Sequence, residues 1–196
     1  DADDDTDDDT DDDADDDTDD DYVDPDLVLI PCTGSFTVDS EESLEALYTC
    51  ESISGNLTIQ GYELEHIDQL SNIVSINGSL SISAPLLLDV DGLRRLEFVG
   101  GSIQIRDNTS LSDLDGLNDL EEVLGSLTIQ DNPSLTGIDG LSVEDIGYDF
   151  TIINNDSLET IDGLNELRTI GHKLEIDQNS SLTTISGFKG LVTAGG

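Results

Sequence analysis

The apolar residues of this chain recur on two periods at once. Short segments alternate apolar and polar positions, as in "NLTIQ", "SLSIS", "SIQIR", "SLTIQ", "DFTII" and "KLEID". Their first apolar residues are Leu57, Leu80, Ile103, Leu127, Phe150 and Leu174, spaced 23, 23, 24, 23 and 24 residues apart. The short alternation is that of a strand, with the residues on either side of the middle position turned inward. Behind the strands a common frame returns: "DNTSLSDLDGLNDLEEV", "DNPSLTGIDGLSVEDI", "NNDSLETIDGLNELRTI" and "QNSSLTTISGFKGLVT". A coil of this length cannot bury its own apolar edge, so successive coils must stack with their strands parallel. The pattern predicts a mainly β solenoid of about six coils, roughly 30 Å tall at about 4.8 Å per coil.

Recurring positions in the frame acquire roles from the stacking. Gly116, Gly140, Gly163 and Gly187 fall where the chain turns, and are expected at backbone angles that disfavour a β-carbon. Asn108, Asn132, Asn155 and Asn179 follow the strands, where stacked amides would form an inward ladder and satisfy turn peptides left unpaired inside. The outward middle positions are Thr58, Ser81, Gln104, Thr128, Thr151 and Glu175. Such residues suit exposed parallel strands for their own sake. The same mostly uncharged row would also serve as a docking face for a glycan, a peptide or another copy of the chain. In the coil "SISAPLLLDVDG", Pro85 stands in the Asn region, and Leu86 and Leu88 are expected outside, beside a core Leu87.

Five asparagines fit the N-glycosylation pattern: "NLT" at Asn56, "NGS" at Asn77, and "NTS", "NDS" and "NSS" on the ladder. The ladder position carries "NPS" in another coil, where proline forbids modification, so its shared role is structural. Asn56 and Asn77 are the expected acceptors if the source glycosylates.

Ahead of the coils stands "PCTGSFTVDSEESLEALYTCESISGNLTI". Asp39 followed by Glu42 predicts a helix start, with Leu44 and Leu47 as the apolar side that lies on the first coil. Cys32 and Cys50 are an even pair with no CxxC motif and no histidine placed to complete a zinc site. They read as a disulfide in an exported protein, with two free core thiols as the alternative. The chain thus divides into an acidic Asp/Thr arm (1–26), a cap with the disulfide (27–54) and the repeats (55–196).

Charge narrows the partners. The formal net charge is −40; eighteen aspartates in residues 1–26 leave −22 on the other 170 residues. Only six Lys and Arg are scattered along the chain, so nothing can neutralise a row of phosphates or approach an anionic bilayer. Nucleic acid and direct membrane insertion are excluded for this segment, and no apolar run approaches the roughly 20 residues of a spanning helix. Cations and cationic surfaces are favoured instead. In the arm, Asp3, Asp4, Asp5, Asp7, Asp8, Asp9, Asp11, Asp12, Asp13, Asp15, Asp16 and Asp17 are hard oxygen ligands suited to weak, multiple Ca²⁺ sites. The competing readings of the arm are a solvated spacer and an adaptation to salt. Catalysis has little support: His66 and His172 lie in different coils, and Asp115, Asp139 and Asp162 recur at one structural corner.

The residues of the cap and coils resemble a known family. Cys32 and Gly34 in a C-x-G pattern, a short amphipathic helix, a second cysteine, "ESISGNLTI", and coils of the L-x-I…L-x-x-I-x-G-L type are similar to the receptor L domain. The resemblance covers about residues 31 to 196 and implies a leucine-rich-repeat-like right-handed β-helix of the kind found in receptor ectodomains and on bacterial and fungal surfaces. It also implies the Cys32–Cys50 bridge and a non-catalytic extracellular module, and it carries over no ligand. The acidic arm and the end at "LVTAGG", in mid-pattern, depart from it.

Two functions follow as expectations. The first is a non-enzymatic cell-surface structural or adhesive protein that assembles with copies of itself, cations assisting, into a filament or surface layer. The second is a receptor-type ectodomain that recognises a cell-surface protein or a glycan or peptide ligand on the sheet face. A polysaccharide-acting enzyme is a distant third.

Overall fold

The computed structural model describes residues 27–195 as a parallel β-solenoid of about seven turns. One sheet contains the six L-x-I strands: Leu57–Gln60, Leu80–Ser83, Ile103–Arg106, Leu127–Gln130, Phe150–Ile153 and Leu174–Asp177. They lie side by side in register, so Leu57, Leu80, Ile103, Leu127, Phe150 and Leu174 form one column. The seventh strand of this sheet, Phe36–Val38, comes from the cap and pairs Phe36 with Leu57 and Val38 with Ile59. Its "FTV" has the same apolar alternation, but it stands 21 residues ahead of Leu57 and lacks the frame behind it.

The opposite sheet has eight short parallel strands, from Ile30–Cys32 through Cys50–Ile53, Ser75–Ile76 and Phe98–Val99 to Thr193–Ala194. Between the sheets, one continuous core runs from Val38 to Ile170. Its leucines and isoleucines are almost all fully buried, each contributing about 1.5–3 kcal/mol.

The cap seals the first coils. The helix Glu41–Glu45 buries Leu44, and Leu47 follows it into the core. Its N-cap is Ser40 and not Asp39: the Ser40 hydroxyl accepts from the Ser43 N–H, and the Ser43 hydroxyl oxygen accepts from the Ser40 N–H at 3.0 Å. A hydroxyl one residue later closes the reciprocal bonds that Asp39 and Glu42 had suggested. The Cys32–Cys50 disulfide joins the first two strands of the eight-stranded sheet across a Cα–Cα distance of 5.5 Å. Closing that short loop is worth about 3 kcal/mol.

The turn glycines have a different reason from the one expected. None of Gly116, Gly140, Gly163 and Gly187 has a positive φ. A β-carbon on Gly116 would instead overlap the Val90 carbonyl, and one on Gly140 or Gly163 would overlap the backbone of Asp115 or Asp139 in the coil before. The constraint is the close approach of stacked backbones. At Gly187 the same contacts relax to 3.0 Å.

Candidate functional site

The strand face is built on a column of amides. Asn108, Asn132 and Asn155 are fully buried. The Asn108 Nδ2 donates to the Ile82 carbonyl at 3.2 Å and to Asn132 Oδ1 at 3.0 Å, while its own Oδ1 accepts from the Ala84 N–H at 2.8 Å. Asn132 repeats the pattern toward the Ile105 carbonyl and Asn155 Oδ1, and Asn155 toward the Ile129 carbonyl and Asn179 Oδ1. Ala84, and not Pro85, occupies the ladder position in its coil. Leu87 there is buried, and Leu86 and Leu88 are 43% and 42% exposed.

With the interior closed, only outward groups can meet a ligand. Thr58, Ser81, Gln104, Thr128, Thr151 and Glu175 are aligned on the face in strand register. From Thr58 to Thr151 their hydroxyl and amide groups offer both donors and acceptors at each rung. Glu175 is the one charge in the row, and Lys173 pairs with it at 2.7 Å.

Two borders of this face were not read from the sequence. On one side, the residue before each ladder asparagine adopts the left-handed conformation: Asp107, Asp131, Asn154 and Gln178 have φ of 60°, 56°, 57° and 54°. Asn and Asp tolerate this region best, which suits three of the four positions. Their side chains line a groove of about 660 Å³ together with Thr109, Pro133, Asp156 and Ser180. Inside it, Asp131 accepts from the Asn154 side chain at 2.9 Å and from the Gln130 side chain at 2.8 Å. Asp156 accepts from the Ser180 hydroxyl at 3.0 Å. The groove is therefore a held array of oxygen acceptors with amide donors among them.

On the other side runs a second ladder of side chains, in the turns that enter the L-x-I strands. Ser35 Oγ accepts from the Asn56 N–H, Asn56 Oδ1 from the Ser79 N–H, Ser79 Oγ from the Ser102 N–H, and Ser102 Oγ from the Ser126 N–H, at 2.8–3.0 Å. Ser126 and Asp149 continue it to Lys173. The signal was present as a small polar residue just before the first five L-x-I strands, with Lys173 ahead of the sixth, but its partner lies a full coil away. Along this border Leu124 is 47% exposed and Tyr148 53% exposed, with the His172 ring set edgewise against Tyr148 at 4.9 Å.

At the remaining corner, carboxylates stack. Burial, and then the charges of Asp89, Asp113, Asp115 and Asp68, push the Asp91 carboxyl above its usual range. Burial, followed by Asp113 and Asp139, does the same to Asp115. The Asp91 and Asp115 N–H groups donate to the Asp89 and Asp113 carboxylates at 3.2 Å. His66 Nδ1 lies 3.1 Å from Asp89 at the surface. Among the described residues no group of three or more His, Cys, Asp or Glu is arranged to hold a metal ion. The arm aspartates considered for Ca²⁺, Asp3 to Asp17, lie outside the described residues.

Fold and face together define a class: a disulfide-capped parallel solenoid that presents an in-register strand surface. Residues 49–115 match the family model of the receptor L domain. The matched stretch begins beside Cys50 and carries the face from Thr58 to Gln104 and the first ladder asparagine. No curated protein and no solved structure matches the chain. Among the described residues no helix is long and apolar enough to cross a membrane.

Proposed function

We propose that this chain is a ligand-binding, receptor-type ectodomain module that works outside the cell by recognition and not by turnover. The observation that carries the reading is the continuous outward row from Thr58 to Thr151, uncharged on an acidic protein and bordered by a polar groove. The receptor L domain match over residues 49–115 supports ligand binding over the self-assembling adhesive reading. Side-by-side hydroxyls and amides, with the Tyr148 ring at the rim, favour a neutral glycan. A peptide is the other ligand that such a row accommodates.

Glycan and peptide arrays probed with the full chain test this. Thr128→Glu with Thr151→Glu should weaken a neutral-glycan signal at least tenfold; the two carboxylates stand in register with Glu175 and should lower the unfolding midpoint, so binding is compared where the variant is fully folded. Glu122→Gln on the opposite sheet should leave binding intact. Binding that survives the double substitution rejects this face, and a peptide-only signal rejects the glycan.

A further inference from the structure

The five N-x-S/T motifs separate cleanly once the hydrogen bonds of each amide are followed. N-glycosylation joins the asparagine Nδ2 to the anomeric carbon of a lipid-pyrophosphate-linked oligosaccharide. The N–C bond forms, the C–O bond to the pyrophosphate breaks with its electron pair leaving on the phosphate, and one amide proton is lost. The product keeps Oδ1 as an acceptor but has one Nδ2–H fewer and a large polar substituent that must reach water.

The ladder asparagines cannot meet those terms in the folded chain. Asn108 and Asn155 are fully buried, and their Nδ2 groups each donate to a carbonyl and to the next amide. Asn179 is half-buried and donates from Nδ2 to the Ile152 and Asp177 carbonyls at 2.9 and 3.0 Å. A glycan at Asn108 or Asn155 would remove a donor from the interior column and force sugar into the core, and one at Asn179 would cost that amide one of its two carbonyl bonds.

Asn56 and Asn77 are different at the same atoms. Both are exposed. Among the described residues Asn56 bonds through its Oδ1 alone, accepting from the Ser79 N–H at 2.8 Å, and a glycan on Nδ2 leaves that bond in place. Asn77 is held by its backbone N–H, which donates to the Ile53 carbonyl at 2.8 Å, so its side chain is available. The two lie in consecutive turns on one border of the solenoid, between Cys50–Ile53 and Leu57–Gln60 and between Ser75–Ile76 and Leu80–Ser83. We propose that Asn56 and Asn77 carry N-linked glycans when the chain passes a transferase of this type, and that Asn108, Asn155 and Asn179 are bare in folded protein. Glycans there would stand near the cap and leave the rungs from Gln104 to Glu175 open.

The test is secretory expression of the full chain in a glycosylating host, followed by glycopeptide mapping of the folded, monodisperse fraction. Occupancy is expected at both Asn56 and Asn77. Thr58→Ala, which keeps Asn56 and its Oδ1 bond, should remove one glycan, and Asn77→Gln the other. Ser157→Ala, which abolishes the Asn155 motif but keeps the amide, should leave the glycan count unchanged. A bare Asn56 or Asn77 overturns the assignment of that residue. A glycan on Asn108, Asn155 or Asn179 in folded protein overturns the rule that excludes them. None of these readouts depends on what ligand the strand face binds.

Discussion

Two polar columns run along the same solenoid with the same period and behave as opposites. The asparagine column at one corner is buried and neutral, and each amide is both donor and acceptor to its neighbours. The aspartate column at another corner, through Asp68, Asp91 and Asp115, is penalised first by partial burial of the Asp91 and Asp115 carboxyls and then by the like charges it brings together. Stacking identical residues therefore stabilises only a group that complements itself. An amide does so and an ionised carboxylate does not. The solenoid keeps its amides inside and leaves its carboxylates where solvent and salt can screen them.

Replacing a member of the amide column should produce the largest effect. Asn132→Leu takes away the acceptor of the buried Asn108 N–H and the amide donor to the Ile105 carbonyl, while Asn108 Nδ2 keeps the Ile82 carbonyl and Asn155 Oδ1 keeps the backbone N–H of residue 132. Buried groups that lose a partner cost about 1–3 kcal/mol each before relaxation, so a net loss of about 3–4 kcal/mol is expected in denaturant unfolding. Asn132→Asp sharpens the contrast by placing a carboxylate on the buried column. Its folded pKa would be raised by burial, so its penalty should grow as pH rises from acid to neutral.

Next comes the packing behind the aspartates. Gly116→Ala drives a β-carbon into the Val90 carbonyl, and a loss of about 1–3 kcal/mol should appear as a lower midpoint at constant slope. Gly187→Ala, where contacts begin at 3.0 Å, should cost clearly less.

The smallest effect belongs to the carboxylates themselves. A folded pKa raised above the unfolded one means that the folded state holds the proton more tightly. The associated stability is fully present below the unfolded pKa, near 3.8, and is lost as pH rises through the folded value. Asp91→Asn with Asp115→Asn should therefore raise the melting temperature slightly at pH 7 and leave it unchanged near pH 3. Added NaCl should narrow the difference at pH 7, because both side chains are exposed.

The parts of the molecule that were legible beforehand are those whose partner sits at a fixed offset in the chain. The L-x-I register and the burial of Leu44 and Leu47 belong to this group, because period and amphipathicity are local signals. The seventh rung at Phe36–Val38 escaped because it has the alternation without the frame behind it. The left-handed column of Asp107, Asp131, Asn154 and Gln178 escaped because its residue types differ from coil to coil, and the groove it lines exists only between coils. The glycines were read as conformational because sequence shows a turn but not the neighbouring backbone that fills the space beside it.

The most direct test is hydrogen exchange of the side-chain amides, followed by NMR in the intact chain. If the asparagine column fixes the stack on which the outer face is displayed, the Nδ2 protons of Asn108, Asn132 and Asn155 will exchange only as fast as the slowest core backbone amides, by global unfolding. Exchange of these protons at the rate of an exposed amide such as that of Asn77, in otherwise folded protein, would contradict it.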